Sequence, residues 1–375
     1  MTEFLQLMES DEGFTRTAAN GANPAALTEA LRLIRNEHNL PRHRHQYLLK
    51  EAITTSDFPT LFGVLLQQDL LAKYRAEIPD WRAYCATGTL PNFNIATKHK
   101  VYGQEGVLPV IAEKGPYTAV PSGTGHYHGH LHKYGRVFDI SWEAVINDSM
   151  GAFSDIAERF SVAATRTEVF NVTSLIAQAA GPNAGLFGAP IADVDGQNVV
   201  NQGVLPATIA NVQTTMRLMA SQVDADGLPV QIRGVHIVAP PALEMTFRAI
   251  LSATTVWATA AAFPGVPDIN ITPQLGLKLH INPYLPVVDT SGNRNGTWYM
   301  FAEPSSLRAV QMDFLAGQSS PEICMKSSDK IPVGGGGEMS PYGGDFATDD
   351  IFYRVRHVMG GWQLDPRFAY AQVNV

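Results

Sequence analysis

Four histidines at alternate positions most invite a chemical interpretation: His126, His128, His130 and His132. On a β-strand, residues two apart share one face, and neutral imidazole is the side chain that most commonly binds metals. Same-face residues lie about 6.6 Å apart, so the four imidazoles cannot all reach one ion at about 2.1 Å. No HExxH motif supplies further ligands. The row therefore favours an exposed polar face that gains charge below about pH 6.5; a metal-dependent enzyme using it is the weaker alternative.

Other chemistries find less support. The glycine run 334–337 is followed by Glu338 rather than by Lys-Ser or Lys-Thr, so it is not a phosphate-binding P-loop. There is no GxSxG motif, and neither Cys85 nor Cys324 lies in a recognisable nucleophile context. We therefore predict no catalytic, cofactor-binding or metal site, and a protein that is not an enzyme.

Composition narrows the class of protein further. The chain has 375 residues, 17% of them charged, and its 27 basic and 35 acidic side chains give a net charge of −8. Apolar content of 45% excludes a disordered chain, and the negative charge argues against a dedicated nucleic-acid binder. Two cysteines exclude a disulfide-stapled secreted protein. An acidic N-terminus and apolar runs far below the ~20 residues of a membrane span predict a soluble protein made in a cytoplasm.

The histidine row must be positioned by the strands around it. Residues up to about 90 predict packing helices, and residues 92–139 predict strands and turns. The strand candidates include 98–102, 107–111 and 126–132, which together form a hairpin of nearly fifty residues. Such a hairpin is not stable alone in water. It must lie on another part of this chain or on a neighbouring copy.

A long helix follows the hairpin. Ser141 caps a pattern in which apolar residues recur at helical spacing as far as Ile176, and Gly181-Pro182 ends it. If unbroken, about 39 residues would make a rod of about 58 Å. Such a rod predicts an elongated, flattened molecule.

The rest of the chain alternates between strands and helices. Residues 182–300 contain only 12 charged residues among 119, which predicts an α/β lobe whose periphery meets other protein. Helices are predicted after Pro206 and Pro241. The predicted strands of this lobe and of the C-terminal part are 230–238, 275–281, 298–302, 309–315, 322–326, 352–358 and 362–364. The pattern as a whole is more typical of an assembly protein than of an enzyme.

In this order, the elements resemble a tailed-phage major capsid protein of the Hong Kong 97 fold, similar to the Mu-type major head subunits. The match covers roughly residues 52 to 370, and its motifs are specific through their order and spacing. They are Thr54–Pro59, Trp81, Asn92-Phe93, Glu113–Tyr117, Tyr134–Glu143, Ile146–Asp148, Tyr353–His357 and Leu364–Arg367.

The resemblance implies an α+β subunit in five stretches of sequence. These are an N-terminal arm (1–91), an extended E-loop (92–140), the spine helix of the peripheral domain (141–182), an axial domain (183–305), and the peripheral strands with the C-terminus (306–375). The E-loop would lie on a neighbouring subunit. The namesake phage cross-links its subunits through an E-loop lysine, but no motif singles out Lys98, Lys100, Lys114 or Lys133 for that chemistry.

The implied function is self-assembly into hexamers and pentamers of an icosahedral head. The head would enclose double-stranded DNA without sequence-specific binding, would need no cofactor or membrane, and would assemble in the host cell cytoplasm. Implied partners are a portal protein, a scaffolding protein and a decoration protein. The alternatives are an encapsulin-like nanocompartment shell and, from a different class, the metal-dependent enzyme that would use His126–His132.

Overall fold

A computed structural model describes residues 67, 70–76, 79–103, 106–117, 119–120, 122–141, 150–257, 267–304, 308–331, 333 and 344–374. Within these residues the protein mixes helices and sheets, as the α+β prediction requires. The chain divides into two compact units. The first unit takes residues 1–77, 133–165 and 320–357, and the second takes 78–132, 166–319 and 358–375. The predicted helices before residue 67, the start of the long helix and the run 334–337 lie outside the described residues.

The α-helices are α1 (Met150–Ile176), α2 (Ile209–Ala220), α3 (Glu244–Ser252) and the single turn α4 (Leu285–Val288). Residues 70–76 are also helical. Short 3₁₀ turns cover Asp80–Ala83, Pro241–Leu243, Thr272–Leu275 and Pro366–Phe368. The helices predicted after Pro206 and Pro241 are confirmed as α2 and α3.

Helix α1 has 27 residues, a length of about 40 Å. Its buried row Phe160, Ala164, Val172 and Ile176 confirms the predicted periodicity. The helix ends at Ile176 rather than at Gly181-Pro182. The reason is local: the backbone N–H of Asn183 donates to the Ile176 carbonyl at 2.9 Å and its side-chain amide to the Ser174 carbonyl at 2.8 Å. These bonds satisfy carbonyls that a continuing helix would use.

The second unit contains a five-stranded sheet in the order β13-β10-β14-β18-β9. Its strands are β9 (Gln202–Gly203), β10 (Gly234–Ala239), β13 (Lys278–Ile281), β14 (Trp298–Ala302) and β18 (Ala369–Gln372). β14, which matches its predicted range, is antiparallel to both β10 and β18. The C-terminal strand β18 thus completes the sheet of the predicted lobe.

A second ladder pairs β1 (Ala86–Leu90) in parallel with β15 (Val310–Leu315), and β15 antiparallel with the end of β17 (Asp350–Gln363). In the first unit, β16 (Glu322–Met325) is antiparallel to the start of β17, and β4 (His132–Ser141) also pairs with β17. The remaining strands form two-stranded ribbons: β2 (Ala96–Tyr102), β3 (Gly123–Gly129), β5 (Ala177–Gln178), β6 (Gly181–Pro182), β7 (Ile191–Ala192), β8 (Asn198–Val199), β11 (Thr255–Trp257) and β12 (Pro267–Ile269).

The two strands predicted at 352–358 and 362–364 form one continuous strand, β17. Gly360 and Gly361, which suggested a break, instead permit close packing. A Cβ on Gly360 would lie 2.1 Å from the backbone oxygen of His130, and one on Gly361 would lie 2.6 Å from a methyl of Leu175. Both distances are far below van der Waals contact, so the strand needs glycine at these positions.

Candidate assembly surface

The hairpin is built from β2 and β3, which pair antiparallel from Ala96 opposite Gly129 to Tyr102 opposite Gly123. This confirms the predicted hairpin, but the strand predicted at 107–111 is wrong. Residues 106–117 have no regular ladder in the structure. An apolar run without a pairing partner has nothing to hold its backbone extended.

The histidine row does not lie on one strand. β3 ends at Gly129, so His126 and His128 belong to β3, whereas His132 begins β4. All four side chains are exposed, which confirms the predicted polar face. The rings meet as pairs, with centroid distances of 4.7 Å between His99 and His126 and 4.2 Å between His130 and His132. Among the described residues, no three His, Cys, Asp or Glu side chains converge on a possible metal position.

The opposite face of the hairpin lies on its own chain. A Cβ on Gly125 would come within 2.5 Å of Val194, and one on Gly129 would come within 2.5 Å of the Trp362 ring. Glycine therefore lets β3 approach the second unit's other segments. The expectation that the whole E-loop lies on a neighbouring subunit is wrong for the two strands.

Lys98, on the same inner face, packs over the Trp362 ring at 4.3 Å. Its Nζ lies 3.5 Å from an Asp313 carboxylate oxygen. Burial lowers the pKa of Lys98, and the Asp313 charge partly opposes that shift. Beyond the strand, Leu131 joins a buried apolar cluster with Leu90, Val358, Trp362 and Leu364.

Lys100 enters a buried ion cluster, defined here as Lys100, Asp193, Asp195, Asp365 and Arg367. Its Nζ lies 2.6 Å from Asp365, 2.7 Å from Asp193 and 3.4 Å from Asp195. Arg367 contacts the same three carboxylates at 3.2, 2.8 and 2.6 Å respectively. Burial opposes the charge on Lys100, but Asp365 and Asp193 outweigh it and raise the pKa of Lys100.

The tip of the hairpin, residues 106–120, is different in character. Leu108 is 89% exposed, Val110 is 100% exposed and Tyr117 is 88% exposed. Soluble proteins seldom expose apolar side chains so densely unless another surface covers them. The hairpin therefore has a polar, firmly held stem and an apolar tip presented to solvent.

A second polar arrangement was not predicted. Inside the second unit's sheet, His236 Nδ1 lies 2.9 Å from His280 Nε2, and His236 Nε2 lies 3.0 Å from Glu303. His280 Nδ1 faces Asp80 at 3.8 Å. Both histidines fall within predicted strands, but only the pairing of β10 with β13 brings them together. Local spacing carries no signal of that pairing.

This arrangement of stem, apolar tip and charge-poor sheet defines an assembly protein, and comparison with known proteins gives its family. Residues 129–372 match the model of the family described as phage capsid protein. The match spans well over half of the chain, and the chain belongs to this family. No curated protein matches the sequence.

Among solved structures, the capsid of cyanophage P-SCSP1u is similar at a TM-score of 0.49 and 12% identity, over 80% of this chain and 89% of that chain. The capsid of the myovirus XM1 gives 0.45 and 9%, over 78% and 90%. A structure from Gordonia phage Cozz gives 0.44 and 13%, over 78% and 84%.

Membership of the family makes the chain a structural protein of a phage capsid shell, located in the virion, and not an enzyme. The metal-dependent enzyme alternative is set aside on this ground. Across the part of the chain that the structure describes, no helix has the length and apolar character needed to cross a membrane.

Proposed function

We propose that the protein is the major capsid subunit of a tailed phage with the Hong Kong 97 fold. Copies assemble into hexamers and pentamers, which close into an icosahedral head around double-stranded DNA. The stretches 1–91, 92–140, 141–182, 183–305 and 306–375 act as arm, E-loop, spine helix, axial domain and peripheral strands. Portal, scaffolding and decoration proteins are the expected partners.

The observation that carries this proposal is the hairpin tip. Leu108, Val110 and Tyr117 are almost fully exposed, although the stem beneath them is held firmly. Burying such side chains contributes roughly 1.5–3 kcal/mol each, so the tip favours association. In a shell protein the occupant that is always available is a second copy of the same chain. The proposed contact is therefore between the tip and a neighbouring subunit.

Electron microscopy and sedimentation of the purified chain test this proposal. We expect closed shells, or rings of six and five copies, at micromolar concentration with a scaffolding protein present. A monodisperse monomer under all salt and scaffold conditions would contradict the proposal. Shells that carry host enzymes and no DNA would favour an encapsulin-like compartment instead.

A further inference from the structure

The ion cluster joins three segments that are far apart in the sequence. Lys100 comes from β2, Asp193 and Asp195 flank the turn between β7 and β8, and Asp365 and Arg367 lie just before β18. The hairpin contributes one further contact, since the Tyr127 hydroxyl donates to Asp193 at 2.7 Å. The cluster is therefore the place where the hairpin is fastened to two other segments of the second unit.

Its position along the hairpin is informative. Lys100 pairs with Gly125 across the ribbon, two rungs before the last pair, Tyr102 with Gly123. The bare Gly125 lies against Val194, the residue between the two aspartates of the turn. The ion pairs and this close approach therefore hold the same rung. Apolar burial is non-directional, whereas ion pairs at 2.6–2.7 Å fix the angle at which the ribbon leaves the second unit.

The charges make Lys100 hard to replace. Three carboxylates and two cations give the cluster a net charge of −1, and the side chains of Asp193, Asp195 and Arg367 are almost wholly buried. Without Lys100, three buried carboxylates would face one guanidinium. Removing one partner of a buried ion pair is far more damaging than replacing the whole pair, because it leaves an uncompensated charge.

We propose that Lys100 is a positioning residue for assembly: the buried ion cluster sets the direction of the hairpin, and thereby where its apolar tip meets the next subunit. This inference rests on the proposed function for its final step, the contact between subunits. Its first step concerns one chain alone and is measured without assembly.

Hydrogen exchange of the unassembled full-length chain tests the first step. In Lys100→Met, exchange of the β2 and β3 amides should rise by about tenfold or more, whereas β14 amides should exchange as in the wild type. Lys114→Met, which removes an exposed lysine of the tip, is the matched control and should leave exchange unchanged. Wild-type exchange of β2 and β3 in Lys100→Met would overturn the proposal.

A compensating variant keeps the test decisive if Lys100→Met loosens the whole unit. Lys100→Met combined with Asp365→Asn restores the net charge of −1, and the asparagine oxygen can still accept from the Arg367 N–H as Asp365 does at 3.0 Å. Exchange in β2 and β3 should return towards the wild-type rate. Tyr127→Phe keeps every charge and should raise exchange in the hairpin alone. Failure of both expectations would refute a role for the cluster.

The second step is measured as the yield of closed shells in electron micrographs. Lys100→Met should lower that yield by about tenfold or more, the double variant should recover much of it, and Lys114→Met should match the wild type. Full assembly by a Lys100→Met chain whose hairpin exchanges freely would overturn the assembly role. Failure of the wild type to assemble would instead count against the proposed function and leave the exchange result standing.

Discussion

A single hydrogen bond joins His236 Nδ1 to His280 Nε2. Such a bond needs one imidazole nitrogen with a proton and one without, so this arrangement excludes a doubly protonated pair. Burial is the main cause that lowers the pKa of both histidines, and the charge of His236 lowers that of His280 further. Of the groups facing the pair, Glu303 and Asp80 oppose the shift, whereas Lys278 adds to it. The pair is therefore neutral at pH 7.

We expect stability of the unassembled chain against urea to fall as the pH drops from about 7 to 5. The folded pKa values of this pair lie below the unfolded value of about 6.5, so the unfolded chain binds more protons below that pH. Each such proton contributes a slope of up to about 1.4 kcal/mol per pH unit. Stability from this pair is thus fully present above about pH 6.5 and declines on acidification.

His236→Asn should flatten this slope, whereas His99→Asn, a change on the exposed outer face of the hairpin, should follow the wild type. Urea midpoints at several pH values between 5 and 7.5, on the order of half a unit apart, give the comparison. An unchanged slope in His236→Asn would show that other groups govern the acid sensitivity.

At the scale of elements, the hairpin separates into a stem that belongs to the subunit and a tip that does not. Deleting residues 106–120 and joining the ends with a short Gly-Ser linker should leave thermal unfolding cooperative and close to that of the wild type. The same deletion should abolish closed shells, because it removes Leu108, Val110 and Tyr117. Calorimetry and electron microscopy of one preparation measure both effects.

The longer deletion 103–133 is the informative contrast. It removes β3, the ladder partner of β2, together with Leu131 from the buried cluster around Trp362. Loss of a buried leucine alone typically costs about 2–5 kcal/mol, so we expect this variant to lose cooperative unfolding. A folded 103–133 deletion would mean that the stem contributes little to the subunit, against the contacts of Lys98, Lys100 and Gly129.

Local pattern explains what the sequence could predict. Helical spacing in α1 and the apolar run of β14 were visible because their signals repeat within a few residues. The ion cluster was not visible, since Lys100 meets partners 93 and 265 positions away. The histidine row drew attention through its spacing, yet the chain leaves β3 at Gly129 and the row divides. Long-range pairing, which determines the stem's contacts, carries no local signature.

At the scale of the whole molecule, net charge bears on how a shell would treat its contents. Many copies of a chain at −8 surround the genome in the proposed head. Affinity for duplex DNA grows with the number of phosphates that a protein neutralises. Tight phosphate contacts would oppose both packaging and ejection. An acidic subunit suits confinement without strong binding.

We therefore expect unassembled capsomers to bind duplex DNA only weakly near physiological salt, without sequence preference. A filter-binding titration at about 50, 150 and 300 mM salt measures both the affinity and its salt dependence. The slope should be shallow, because 27 basic side chains are outnumbered by 35 acidic ones and several of them, such as Lys100 and Arg367, are already neutralised within the fold. Submicromolar binding at about 150 mM that falls steeply with added salt would mean that each subunit directs a concentrated basic surface at the genome. In that case the local arrangement of charge, rather than its sum, would govern how the head holds DNA.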